Sequence, residues 1–216
     1  MYVVFCKITS MKYYKGVTPF DKPSRGGSYV DINGTGGEVW NFYPTRNSSG
    51  EEFCFGFVEP KHNKGVSNSI HVENITGNSR DKYADSIDDV LVIWCATLDT
   101  HKQAVVGWYN HATFFRYIQE TTIDDDYYGY NVLAHADDCV LLPRNERDKG
   151  IWSAPVSKPD GYGFGQSMLY YPLHDFDKRK VKTIINSIEA YTGLNWLRVF
   201  NKEQEPKPEK KYFCQN

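Results

Sequence analysis

Residues 88–116 read DDVLVIWCATLDTHKQAVVGWYNHATFFR. Val90–Ala96 is an unbroken apolar run, short for a helix and rich in the β-branched and aromatic types that fit a pleated surface. It predicts a central strand that is apolar on both faces. Asp99–Lys102 is polar and predicts a turn. Gln103–Tyr109 predicts the returning strand, and its Gly107-Trp108-Tyr109 step leads into a third short strand, His111–Tyr117, that carries Arg116. The stretch reads as the middle of a mixed or antiparallel sheet with aromatic side chains gathered at its mouth.

Working outward, Tyr2–Thr9 predicts a first strand, and Met11–Val17 a second, closed by Thr18-Pro19. Glu52–Val58 alternates, with Phe53, Phe55 and Phe57 on one face and Cys54, Gly56 and Val58 on the other. Ser69–Ile75 predicts a weak strand, and Asn78–Ile87 a short helix or loop. Tyr127–Ala136 and Asp137–Leu142 predict the last strands. Pro23–Gly37 is glycine-rich and reads as an extended loop, and Pro143–Gly165 is loop-like. Asp177–Thr192 has Val181, Ile184, Ile185, Ile188 and Tyr191 at helical spacing, which predicts an amphipathic helix capped by Asp177 and stopped at Gly193. Residues 201–216 are charged and proline-bearing and read as a tail or linker. The expectation is one α+β, β-rich domain over residues 1–200. Its architecture is an open or closed β-barrel with peripheral helices and a C-terminal amphipathic helix.

Composition narrows the function. Aromatics make up 15% of the 216 residues, which favours a β-rich core. The net charge of −2 argues against a protein that coats DNA nonspecifically, although a local basic patch suffices to read a single base. Cys6, Cys54, Cys95, Cys139 and Cys214 form no CxxC pair and are odd in number, as expected of buried thiols in a reducing cytoplasm. No run approaches a membrane span, and no signal-peptide pattern opens the chain, so a soluble cytoplasmic protein without a membrane partner is expected.

Motifs of catalysis are missing. The chain has no P-loop, GxSxG, HExxH or strand-borne GxGxxG pattern. Alternation puts His135 and Asp137 on one face, but one His and one Asp make half a metal site, and a solvated strand-end turn explains them as well. Asp124-Asp125-Asp126 lacks the Gly and closing Glu of a calcium loop. No catalytic residue, metal ligand set or cofactor is therefore assigned. An enzyme acting on a nucleotide or modified base through Asp137 and His135 stays as an alternative, and a partner-binding β domain as another.

The aromatic residues form the better constellation. Trp40-Asn41, Trp94, Trp108-Tyr109 and Trp152 fall at or just after strand ends, and Ser28-Tyr29 and Gln166-Ser167 lie beside glycines. Rings supply stacking faces for a flat ligand such as a nucleobase, while Asn41, Gln166 and Ser28 supply donors and acceptors for its edge. Core packing accounts for Trp94 equally well.

The runs GGSYVDINGTGGEVWNFYP, FGFVEP, DDVLVIWCAT, AVVGWYNHATFFR and GFGQSMLYY resemble a bacterial domain of modification-dependent restriction and other phage-defence proteins. In that family a GWY-type step and a late GQS segment recur, often ahead of an HNH nuclease. The domain is similar in plan to the PUA superfamily of small barrels, which includes EVE, YTH and ASCH modules. The resemblance covers roughly residues 11–195. It implies a DNA-binding module that recognises a modified base, such as 5-methylcytosine or another modified cytosine, by flipping it into an aromatic pocket. It carries over Ser28, Tyr29, Trp40, Asn41, Trp108, Tyr109, Gln166 and Ser167 as pocket residues, and Arg116 and Lys61 as phosphate contacts; Trp94, from its place in the central strand, joins the pocket as a wall or belongs to the core. The implied partners are DNA carrying a modified base and a separate nuclease domain or subunit, because no nuclease motif follows residue 195.

Overall fold

The computed structural model describes residues 1–26, 32, 34–60, 69–123, 126–156 and 162–199. Ser28, Tyr29, Lys61, Cys214 and the expected tail at 201–216 lie outside the described residues.

The expected central strand is β4 (Ser86–Thr97). On one side it pairs in parallel with β1 (Tyr2–Ile8), on the other antiparallel with β5 (Gln103–Ile123). Beyond β5 come β6 (Asp126–His135), β3 (Glu52–Gly56) and β2 (Pro44–Arg46), and β8 (Leu169–Tyr170) edges β1. A further strand, β7 (Cys139–Leu141), pairs with β5 off this path. The result is a β-rich α+β fold with one large mixed sheet and few helices. The sheet is open, with β2 and β8 at its two ends.

Alternation along β4 builds two cores. Val90, Val92, Trp94 and Ala96 enter one, and Leu91, Ile93 and Cys95 enter the other. Each such aliphatic side chain contributes roughly 1.5–3 kcal/mol when fully buried. The second core is roofed by a helix at Asp175–Glu189, which presents Val181, Ile184 and Ile188 to the sheet. That helix begins before the expected cap. His174 holds the cap position without a side-chain bond, and Asp175 and Asp177 occupy the first turn, where carboxylates favour the positive end of the helix dipole.

Three further expectations are corrected. Met11–Val17 is not a strand: Asp21 draws the Lys12 and Tyr13 amides onto its carboxylate at 2.7 Å each, and Tyr14 and Gly16 turn through positive φ. Ser69–Ile75 is not a strand either; a short helix, Glu73–Thr76, ends at Gly77 with φ 68°. Finally, His111–Tyr117 is no separate strand. It continues β5, which runs 21 residues through a kink at His111 (φ 48°) opposite Asp89 (φ 57°). Left-handed backbone at such residues costs about 1–2 kcal/mol each. The His111 Nδ1 to Asp89 Oδ1 contact of 2.7 Å joins the two. The long strand exists because its far edge is shared: Gly107–Tyr109 pairs with β7, and residues from Thr113 onward pair with β6.

Candidate functional site

Glycine decides where the rings of the Gly107-Trp108-Tyr109 step go. A β-bulge opposite Trp94 and Cys95 leaves Gly107 facing the first core. A Cβ there would lie 2.3 Å from the Val140 carbonyl oxygen and 2.7 Å from the Phe42 ring. A Cβ at Gly56 would lie 2.6 Å from Trp94. The first core thus interlocks Phe42, Trp94 and Tyr109 at ring distances of 5.3–5.5 Å over two bare glycine backbones. Trp108 points the opposite way. It stacks on Trp152 at 5.5 Å and meets the edge of Tyr191 at 5.4 Å under the long helix. Trp94 and Tyr109 are 0% exposed and Trp108 2%. The sheet separates Trp108 from Trp40, so these two do not line one pocket as the sequence suggested. The Trp94, Trp108 and Tyr109 rings are consumed by packing.

Asn41 and Arg116 are likewise engaged inside the fold. Asn41 is fully buried, and its amide accepts from the Phe57 amide at 2.9 Å and donates to the Phe57 carbonyl at 3.0 Å. Asn131 does the same for Val58, at 3.0 and 2.8 Å. Two side-chain amides thereby extend the β3 hydrogen bonding past Gly56. The Arg116 guanidinium pairs with Glu73 at 2.9 Å and donates to the Ala84 and Asp81 carbonyls at 2.7 and 3.1 Å. With its side chain 9% exposed, it ties the Glu73–Thr76 helix and the 3-10 turn Ser79–Tyr83 to the sheet and offers nothing to a phosphate.

The remaining motif residues gather at the carboxyl end of β1. The Lys7 amide donates to the Met168 carbonyl at 2.7 Å, which brings Gln166-Ser167 alongside the strand. Past the strand end, the Thr9 amide donates to Glu38 Oε1 at 2.9 Å, and its hydroxyl donates to the Ser24 carbonyl at 2.8 Å. Ser10 and Ser24 exchange backbone bonds at 2.8 and 3.0 Å. Gln166 is exposed, and Ser167 accepts from the Leu169 amide. Trp40 is half-buried; its ring covers Gly16, where a Cβ would lie 2.4 Å away, and meets Tyr43 edge-on. Desolvation raises the Glu38 carboxyl above the ordinary range, and nearby Glu59 adds to this. Sequence reading passed over Glu38; an acid directly between a double glycine and Val39-Trp40 was the available signal.

A cleft of about 220 Å³ opens beside Ser10 and Ser24. It is lined by the β1 exit, residues 20–24, the turn after β4 and the short helix Arg144–Arg147. By contrast, His135 and Asp137 are occupied separately. The His135 ring lies 4.4 Å from Phe53, and the Asp137 carboxylate holds Arg198. Among the described residues no group of three His, Cys, Asp or Glu side chains is placed to hold a metal, and no helix is long and apolar enough to cross a membrane. Comparison with protein families, with curated proteins and with solved structures finds no match.

Proposed function

We propose that the chain is a DNA-binding module that recognises a modified base, flipped from its duplex, at the carboxyl end of β1. One observation supports this most. Segments more than a hundred residues apart, Gly36-Gly37-Glu38 and Gln166-Ser167-Met168, both bond to the last turn of chain around Lys7 and Thr9. Both belong to the runs that resemble modified-base readers. Glu38 and Gln166 carry the directed donors and acceptors that a base edge demands, and Trp40 supplies a partly open ring. A nuclease domain or subunit would act on the DNA so marked.

Fluorescence anisotropy against duplexes carrying 5-methylcytosine, 5-hydroxymethylcytosine or plain cytosine tests the reading. A preference of about tenfold or more for one modification is expected, from about 1–3 kcal/mol of edge recognition. Gln166→Ala and Glu38→Gln are expected to erase that preference. Equal binding of all three duplexes by the unaltered protein would overturn it.

A further inference from the structure

The cleft beside Ser10 and Ser24 holds an unusual charge. Arg147 is 2% exposed, yet its guanidinium donates only to neutral carbonyls: Leu142 at 2.9 Å, Met11 at 2.7 Å and Lys12 at 2.7 Å. It makes no ion pair among the described residues. A guanidinium has five N–H donors, and three are committed in this way. Buried charge is ordinarily paired, because desolvation is otherwise uncompensated. Burial accordingly lowers the Arg147 pKa, with Tyr14 and Asp21 pulling in the opposite direction.

The other charges in the cleft divide unevenly. Its three carboxylates are already occupied. Asp21 takes the Lys12 and Tyr13 amides, Asp99 holds Arg144, and Asp148 accepts from the Thr100 hydroxyl. Its lysines are not. Lys12 lies with its ammonium 4.6 Å from the Tyr13 ring centroid, and Lys22 is exposed; neither makes an ion pair among the described residues. The cleft therefore combines a buried guanidinium and two ammonium groups that make no ion pair among the described residues with the hydroxyl of Ser10, while the Ser24 hydroxyl donates to the Ser10 carbonyl at 3.4 Å. That is a donor set for a tetrahedral oxyanion. At about 220 Å³ it falls below the roughly 300 Å³ where pockets for whole drug-sized ligands begin, so it suits a group within a larger molecule.

We propose that this cleft is a phosphate-binding site that holds the backbone of the nucleic-acid strand whose base is read at the carboxyl end of β1. The proposal rests on the base-reading function and deepens it. Ser24 belongs to both places, through its carbonyl bond from Thr9 and its position in the cleft wall. A strand bound there has its phosphate near Thr9, whose amide donates to Glu38.

Salt-dependent binding separates this claim from the one it rests on. Lys22→Ala and Lys12→Ala are expected to weaken modified and plain DNA alike, by roughly fivefold each at low salt, and to reduce the salt slope by about one. The preference between duplexes stays. Gln166→Ala is expected to do the reverse, abolishing preference and leaving the slope. If the unaltered protein shows no preference but the lysine variants still lower the slope, the base reading fails and the phosphate cleft stands. If neither lysine variant changes the slope, the cleft is overturned. Titration of ¹⁵N-labelled protein with inorganic phosphate and with a short single-stranded oligonucleotide distinguishes the sources. Shifts at Ser10, Lys12 and the Arg147 side chain with the oligonucleotide support the proposal. Shifts with inorganic phosphate alone overturn the strand as ligand, and none with either overturns the site.

Discussion

The middle of the sheet and the carboxyl end of β1 are built from opposite materials. Around Trp94 and Trp108 the chain packs large rings against bare glycines, and the Trp94 and Trp152 indole N–H groups and the Tyr109 hydroxyl are buried there without a hydrogen-bond partner among the described residues. Around Thr9, Ser10, Ser24 and Glu38 the chain is polar, and side chains accept and donate bonds that strands normally satisfy. The first region is closed on both faces by a core; the second keeps Gln166 in solvent and holds the partly buried Glu38 carboxyl on the Thr9 amide. Aromatic density thus marks the region that holds the fold together, and small polar residues mark the region where the base-reading site is proposed.

That contrast breaks most readily at Trp108. Trp108→Ala empties the space between Trp152 and Tyr191 and is expected to cost about 3–5 kcal/mol, read by urea denaturation. A loss below about 1 kcal/mol would reopen Trp108 as a ligand-facing residue. Arg116→Ala strands Glu73 beside a helix that has lost its anchor, and about 3 kcal/mol is expected by the same measurement. Were Arg116 a phosphate contact instead, stability would hold and DNA affinity would fall. Asn41→Ala leaves the Phe57 amide and carbonyl unpaired in the core, with about 2 kcal/mol expected.

A smaller effect concerns Lys15, whose buried ammonium donates to the Leu197 and Val199 carbonyls. Burial pulls its pKa from 10.5 down to about 8. Between those values Lys15 holds more protons in the unfolded chain than in the folded one, so its own contribution to stability rises with pH across that window. Burial raises the Cys6, Cys95 and Cys139 thiols and the Tyr14, Tyr109 and Tyr128 hydroxyls, so ionisation of the unfolded thiols over the same window, and of the unfolded tyrosines above about pH 10, lowers stability. Three thiols outweigh one ammonium, so a net fall in stability from about pH 8 to 9.5 is expected in urea denaturation, and Lys15→Met should steepen it. Smallest of all, Gln166→Ala at the polar end is expected to shift stability by less than about 0.5 kcal/mol while changing ligand preference.

Much of the fold was legible in local pattern. The apolar run Val90–Ala96 required a strand buried on both sides, and the structure supplies a core to each. The spacing of Val181, Ile184 and Ile188 required a helix with one buried stripe, and those residues roof the second core. Of the residues expected at a site, Gln166 and Ser167 lie beside the end of β1 through the neighbouring Met168, whereas Asn41, Trp94, Trp108 and Tyr109 are built into the interior.

Periodicity along one strand determines which residues share a face, and that much the sequence settled by itself. What covers a face depends on segments far away in the chain. Trp108 became core because the helix Asp175–Glu189 and the turn at Trp152 close over it. Arg116 became an anchor because Glu73 and three backbone carbonyls converge on it. Glu38 acquired its buried carboxyl because Thr9 ends β1 beside it. Such meetings are fixed by the order of strands and the length of the loops between them, which only the tertiary structure decides.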